Sequence, residues 1–185
     1  MALEIEIKLP IESPEAVKEG LRTMGFSPEE TWTQEDTYFN SKEFDLRRQD
    51  KALRLREEVH PAGGRKMYTL NYKGPKLDAI SMSRTELEME ITDPKTMEDI
   101  LRGLGYDPVD IRVKKERTSF RRGSLTAALD QVEGLGTFLE LERMGTDEED
   151  REKGTEKMEQ VITELGYSMA DTVRTSYLTQ LEQKG

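Results

Sequence analysis

The chain has 185 residues, a net charge of −10 and no cysteine. That length suits one domain with a core of its own, and no break in composition divides residues 1–185, so they are read as a single unit. The lack of cysteine excludes disulfides, a thiol nucleophile and thiolate metal sites, and the acidic balance argues against general binding to nucleic acid or anionic membranes. Charged residues make up 36% of the chain and the apolar set 34%, but the apolar residues are strongly periodic, which excludes disorder. With no run of about 18 apolar residues and no leader pattern, the expectation is a soluble cytoplasmic protein.

The first element is a strand over 3–9, where Glu4, Glu6 and Lys8 alternate with Ile5, Ile7 and Leu9. A helix follows in SPEAVKEGLRTMGF, with Ser13 as N-cap, Pro14 at the first helical position, Val17, Leu21 and Met24 on one face, and Gly25 as the stop. Strands are expected at 35–40, 52–59, 66–73 and 83–91, with HPAGG at 60–64 as a turn. DPKTMEDILRGLGY predicts a second helix, started by Asp93 and Pro94 and striped by Met97, Ile100, Leu101 and Leu104. Strands at 111–121, 124–131 and 137–143 come next, the first two joined through RRGS. A third helix begins in the acidic run 147–152, which suits a helix N-terminus, and carries Met158, Val161, Ile162 and Leu165. A short last helix holds Val173, Tyr177, Leu178 and Leu181. EIEIKL, ELEMEI and FLELER form an imperfect repeat of strands that are each followed by a helix.

Nearly every strand has one apolar and one charged phase. The charged phases collect Glu4, Glu6, Lys8, Arg54, Arg56, Lys73, Arg84, Glu86, Glu88, Glu90, Lys115, Arg117, Asp130, Glu140 and Glu142. An antiparallel sheet can turn such a face to water. The alternative is a closed sheet with helices outside. The helical stripes need an apolar partner, and the apolar phases supply one. The charges then point inward, where unpaired ions would each cost several kcal/mol if dry. Such a lumen is wet and takes a charged ligand. Arginine and lysine suit phosphate oxygens, and clustered carboxylates suit Mg²⁺ or Mn²⁺.

EIEIK at 4–8 resembles the Glu-x-Glu-x-Lys signature of the CYTH, or triphosphate tunnel metalloenzyme, superfamily. QEDTYF (34–39), ALRLR (52–56), YKGPK (72–76), SRTELEMEI (83–91), VKKERTSF (113–120), LDQVEGLGTFLELE (129–142) and RTSYLTQL (174–181) follow in the family's order. The resemblance runs from residue 3 to about 181. YKGPK and LDQVEGLGTFLELE look most like the CyaB-type branch, the class IV adenylyl cyclases.

This resemblance implies an α+β fold: an eight-stranded antiparallel β-barrel, open as a tunnel, with helices packed outside. It implies that Glu4, Glu6 and Glu142 hold one divalent metal, Mg²⁺ or Mn²⁺, and that Asp130 and Glu140 help hold a second. Lys8, Arg54, Arg56, Lys73, Lys115 and Arg117 would grip a triphosphate, and Arg84 is grouped with them. Glu86 and Glu88 lie on a charged strand of the family without an assigned role. In VKKER, Lys115 and Arg117 fit the family pattern, while Lys114 is the neighbour in the opposite phase.

Two reactions fit. In a cyclase the ribose 3′-hydroxyl of ATP attacks the α-phosphorus and pyrophosphate leaves. In a triphosphatase water attacks the terminal phosphorus of tripolyphosphate, thiamine triphosphate or a nucleoside triphosphate. Lys8 would orient the nucleophile or take its proton. A non-catalytic polyphosphate- or nucleotide-binding module is the third possibility. The partners implied are a triphosphate small molecule, with no nucleic acid and no membrane, for a monomer or homodimer. His60 is expected to be a solvated loop residue, and Trp32 to pack between a helix and the barrel, with stacking on a base as the alternative. Asp36 and Tyr38 belong to a family motif without assigned chemistry, and Tyr177 is expected to pack, or to close one tunnel end.

Overall fold

In the computed structural model, which describes residues 3–78 and 81–184, eight antiparallel strands form a closed barrel. They are Leu3–Pro10 (β1), Ser27–Asn40 (β2), Ala52–Val59 (β3), Lys66–Lys76 (β4), Arg84–Glu90 (β5), Asp107–Arg122 (β6), Leu125–Val132 (β7) and Gly136–Gly145 (β8). Around the barrel the order is β1-β5-β4-β3-β2-β6-β7-β8, and β8 returns to β1. Closure gives every strand a neighbour on both sides, although β5 meets β1 over a short stretch only. The expected charged faces therefore line a lumen rather than an outer surface.

The apolar core lies outside the barrel, between its wall and the helices. Ile5, Ile7, Leu9, Leu139 and Leu141 point outward against Val17 and Leu21 of Pro14–Thr23 (α1) and Met158, Val161 and Ile162 of Glu148–Glu164 (α3). Gly154 brings α3 against the wall: a Cβ there would meet Arg143 Cδ at 3.0 Å and Ile5 Cδ1 at 3.1 Å. Pro94–Gly103 (α2) packs through Leu101 on Phe39 and Leu55. Asp93 and Asp147 cap α2 and α3 through their side chains, but Ser13 makes no side-chain cap bond to α1. The stripe expected on α2 is only partly covered. The helix meets the wall along its Met97–Leu101 line, and Ile100 and Leu104 are 48% and 68% exposed on its flank.

Two strands start well before the sequence predicts. β2 starts at Ser27 instead of 35, and β6 starts at Asp107 instead of 111. Ser27–Thr33 pairs with the far part of β6, with a register shift between Pro28 and Thr31. Its residues are mostly exposed. No buried face imposes period-two alternation there, so the usual sign of a strand is missing.

The wall between β1 and β5 is assembled from three pieces of chain. Among the described residues, only Leu3↔Thr85 and Glu4↔Arg84 pair directly. Farther along β1, the Met82 amide donates to the Glu6 carbonyl (2.9 Å) and the Val173 amide to the Lys8 carbonyl (2.7 Å). Val173 thus precedes the last helix, Tyr177–Lys184 (α4), instead of belonging to it. Tyr177 and Leu178 close one end of the lumen against Val113, Val132 and Phe138.

Candidate functional site: a charged tunnel

The barrel encloses a cavity of about 690 Å³. Antiparallel register sets its lining: Glu6 lies opposite Glu142, Lys8 opposite Glu140, and Arg117 opposite Asp130. On the other wall Arg56 lies opposite Asp36, and Lys73 opposite Glu86. All the site residues expected from the sequence face this lumen, and all but Asp130 line the cavity itself. Asp130 lies behind it, fully buried under Lys115 and Arg117.

Three ionic knots organise these charges. Arg117 donates from Nε to Asp130 Oδ1 (2.7 Å), from Nη2 to Asp130 Oδ2 (2.7 Å) and from Nη1 to Glu142 Oε1 (3.1 Å), and it also bonds Glu140. Lys115 Nζ reaches Asp130 Oδ2 at 2.5 Å. Lys73 Nζ joins Glu4 (2.6 Å) to Glu86 (2.9 Å), and Asn71 donates to Glu86 and to Glu88 (3.3 Å). Asp36 takes a bidentate pair from Arg56, Nε at 2.7 Å and Nη2 at 2.8 Å, and Arg54 Nη1 approaches it at 3.5 Å. Arg84 is held by the carbonyls of Met82 (3.3 Å) and Gly74 (3.4 Å). Lys114 points out of the barrel, 3.5 Å from Glu35, which settles the phase of VKKER in favour of Lys115 and Arg117.

The knots split the acids into two kinds. Burial works against ionisation of Asp36, but Arg54 and Arg56 outweigh it and hold its carboxyl far below the usual range. Burial likewise opposes, and Arg117 and Lys115 reverse, the shifts of Asp130 and Glu140, which both end low. Glu86 is brought down to about 2, against burial, by hydrogen bonding to Glu4 and by Lys73. The other acids move upward. Burial lifts Glu4 well above the usual range and raises Glu6, with Glu140 adding repulsion to the latter. Burial, Glu140 and Glu6 push Glu142 up to about 7 despite Arg117.

When ionised, Glu4, Glu6 and Glu142 carry negative charge that the protein's bases do not fully offset. Hard carboxylate oxygens in that state match a divalent cation in chemistry. Among the described residues no three such groups stand together as a finished cage, since Arg117 and Lys73 hold several of the oxygens. The fit is one of donor type and charge. Three buried polar atoms at inward positions have no partner among the described residues: Arg54 Nε, Gln34 Oε1 and Asn71 Oδ1. A buried guanidinium donor left open suits an anionic oxygen.

Asp36, 1% exposed, is the residue whose function the sequence concealed, because its partners lie on another strand. Asn71 and Gln34 are likewise buried inside the barrel. Trp32 is not between a helix and the barrel. It pairs in register with Arg117, and its ring meets His60 edge-on at 4.8 Å. His60 is half-buried by this contact, with Nε2 3.2 Å from Glu30, rather than freely solvated. Tyr177 enters the lumen itself.

The CYTH domain model matches residues 2–177. A Methanocaldococcus jannaschii protein named "Putative adenylate cyclase MJ0240" is 38% identical over 176 residues, covering 95% of this chain and 97% of that one. Adenylate cyclase CyaB of Aeromonas hydrophila is 32% identical over 81% of this chain and 73% of its own length. The solved structure of PH1819 from Pyrococcus horikoshii OT3 superposes with a TM-score of 0.88 at 33% identity, covering 98% of this chain and 99% of that one. Barrel, lumen and sequence agree, and the chain belongs to the CYTH domain family.

Proposed function

We propose that the chain is a divalent-metal-dependent enzyme that binds a triphosphate in the tunnel and converts ATP to cyclic AMP and pyrophosphate. The observation that carries the triphosphate reading is the concentration of Lys8, Arg54, Arg56, Lys73, Arg84, Lys115 and Arg117 around one cavity. Relatives named as adenylate cyclases support the choice of reaction.

Arg54, Arg56, Lys73, Arg84, Lys115 and Arg117 neutralise the triphosphate and hold it in line. Their charge stabilises the negative charge that grows on the leaving pyrophosphate oxygens. Lys8 orients the attacking 3′-oxygen. The new bond joins that oxygen to the α-phosphorus, the bond to the β-phosphate bridging oxygen breaks, and the hydroxyl proton leaves on the pyrophosphate. Mg²⁺ or Mn²⁺ held by Glu4, Glu6 and Glu142 would supply charge neutralisation and alignment, whereas Lys115 and Arg117 already engage Asp130 and Glu140, the pair expected to hold a second ion.

A second reading is hydrolysis of tripolyphosphate, thiamine triphosphate or a nucleoside triphosphate. It is favoured by the lining of the cavity, where Lys8, Arg54, Arg56, Lys73, Lys115 and Arg117 offer contacts suited to a triphosphate alone. Product analysis separates the two. With ATP and Mg²⁺ or Mn²⁺, cyclic AMP and pyrophosphate are expected, and Glu4→Gln/Glu6→Gln is expected to make neither. Orthophosphate without cyclic nucleotide establishes the triphosphatase. Metal-dependent binding without turnover would make the chain a binding module. Full turnover in Lys8→Met would remove Lys8 from the chemistry.

A further inference from the structure

Tyr177 opens α4 at one end of the barrel, and its ring lines the lumen. Lys8 Nζ sits over that ring, 4.3 Å from its centroid, and Lys115 Nζ is 5.2 Å away. The phenol donates to Asp130 Oδ2 (3.2 Å), and the ring edge packs on Phe138 at 5.0 Å. Two other buried lumen lysines rest on carboxylates, Lys115 on Asp130 and Lys73 on Glu4 and Glu86. Lys8, only 2% exposed, makes no ion pair among the described residues.

We propose that Tyr177 is the positioning residue for Lys8, its ring face seating the ammonium where a carboxylate would otherwise do so. This rests on Lys8 contacting the substrate, as argued above. A carboxylate partner would neutralise the lysine and engage its donors. An aromatic face attracts the ammonium through its quadrupole and leaves the charge available to phosphate. The phenol bond to Asp130 fixes the ring's orientation. The backbone makes the same connection, because the Val173 amide bonds the Lys8 carbonyl at 2.7 Å. The C-terminal segment therefore holds Lys8 at both its main chain and its charged tip.

The test combines lysine ε-methylene proton NMR on the metal-free protein with steady-state turnover of ATP and tripolyphosphate. Lys8→Arg assigns the Lys8 signal. The wild type and Tyr177→Phe are expected to show Lys8 ε-protons moved upfield by the ring, and Tyr177→Leu to lose that shift. Tyr177→Leu should lower kcat about tenfold with little change in KM, and Tyr177→Phe, which keeps the ring face, much less. An unshifted Lys8 signal in the wild type overturns the proposal without any variant having to fold. If Lys8→Met is inactive while Tyr177→Leu loses the shift and keeps its kcat, the positioning role falls and the function of Lys8 stands. If Lys8→Met turns over normally, the underlying reading fails instead, whatever the spectra show.

Discussion

Lys114 and Lys115 are neighbours in the chain with opposite fates. Lys114 lies on the outer surface beside Glu35, in an exposed pair of the kind that contributes little to stability. Lys115 is buried against Asp130. Lys114→Ala is expected to leave turnover unchanged, and Lys115→Ala to lower it by about 100-fold, as loss of a charged transition-state contact does. Equal effects in a steady-state assay would contradict the assigned phase. Asp36→Asn should weaken the hold on Arg56 and Arg54, costing about 2 kcal/mol in urea unfolding and raising KM for the triphosphate. The lysine phase was legible from period-two alternation together with the family pattern. The function of Asp36 was not, because alternation gives the direction of a side chain and says nothing of what meets it from another strand.

At the scale of elements, legibility followed burial. β1, β3, β7 and β8 have apolar outer faces under helices or beside them, and their alternation located them to within two residues. The early part of β2 has no such cover, so nothing in its sequence marks it as a strand. The helices were found by Pro, acidic and Gly punctuation, but the depth to which α4 enters the lumen depends on contacts far along the chain. α3 offers a direct test of packing. Gly154→Leu would drive a side chain into Ile5 and Arg143, and about 1–3 kcal/mol of destabilisation is expected in thermal or urea unfolding. Because α3 lies on the outer wall, residual folded protein should keep its KM.

For the whole molecule, the acids divide its response to pH. Glu142, at about 7, and Glu4, well raised, bind protons more tightly folded than unfolded. Metal-free protein should therefore gain stability as the pH falls from 8 through 7 toward 5. Asp36, Glu86 and Glu140 are held low, so their contribution, present above the unfolded carboxylate range, is lost as the pH falls below it. Melting curves should show a maximum in mildly acidic solution. Mg²⁺ should raise Tm most at pH 8 and least near pH 6, where protons compete for Glu142. A Tm increment independent of pH would remove Glu142 from the metal site. The composite wall between β1 and β5 has its own consequence, for the order of events during synthesis. β1 has eight register partners on β8 and two on β5, and its remaining bonds come from residues as late as Val173. At about 5–20 residues per second, the first strand leaves the ribosome on the order of ten seconds before its main partner. Throughout that interval Ile5, Ile7 and Leu9 have no wall to join, so the nascent chain carries an uncovered apolar stripe, a natural target for chaperones.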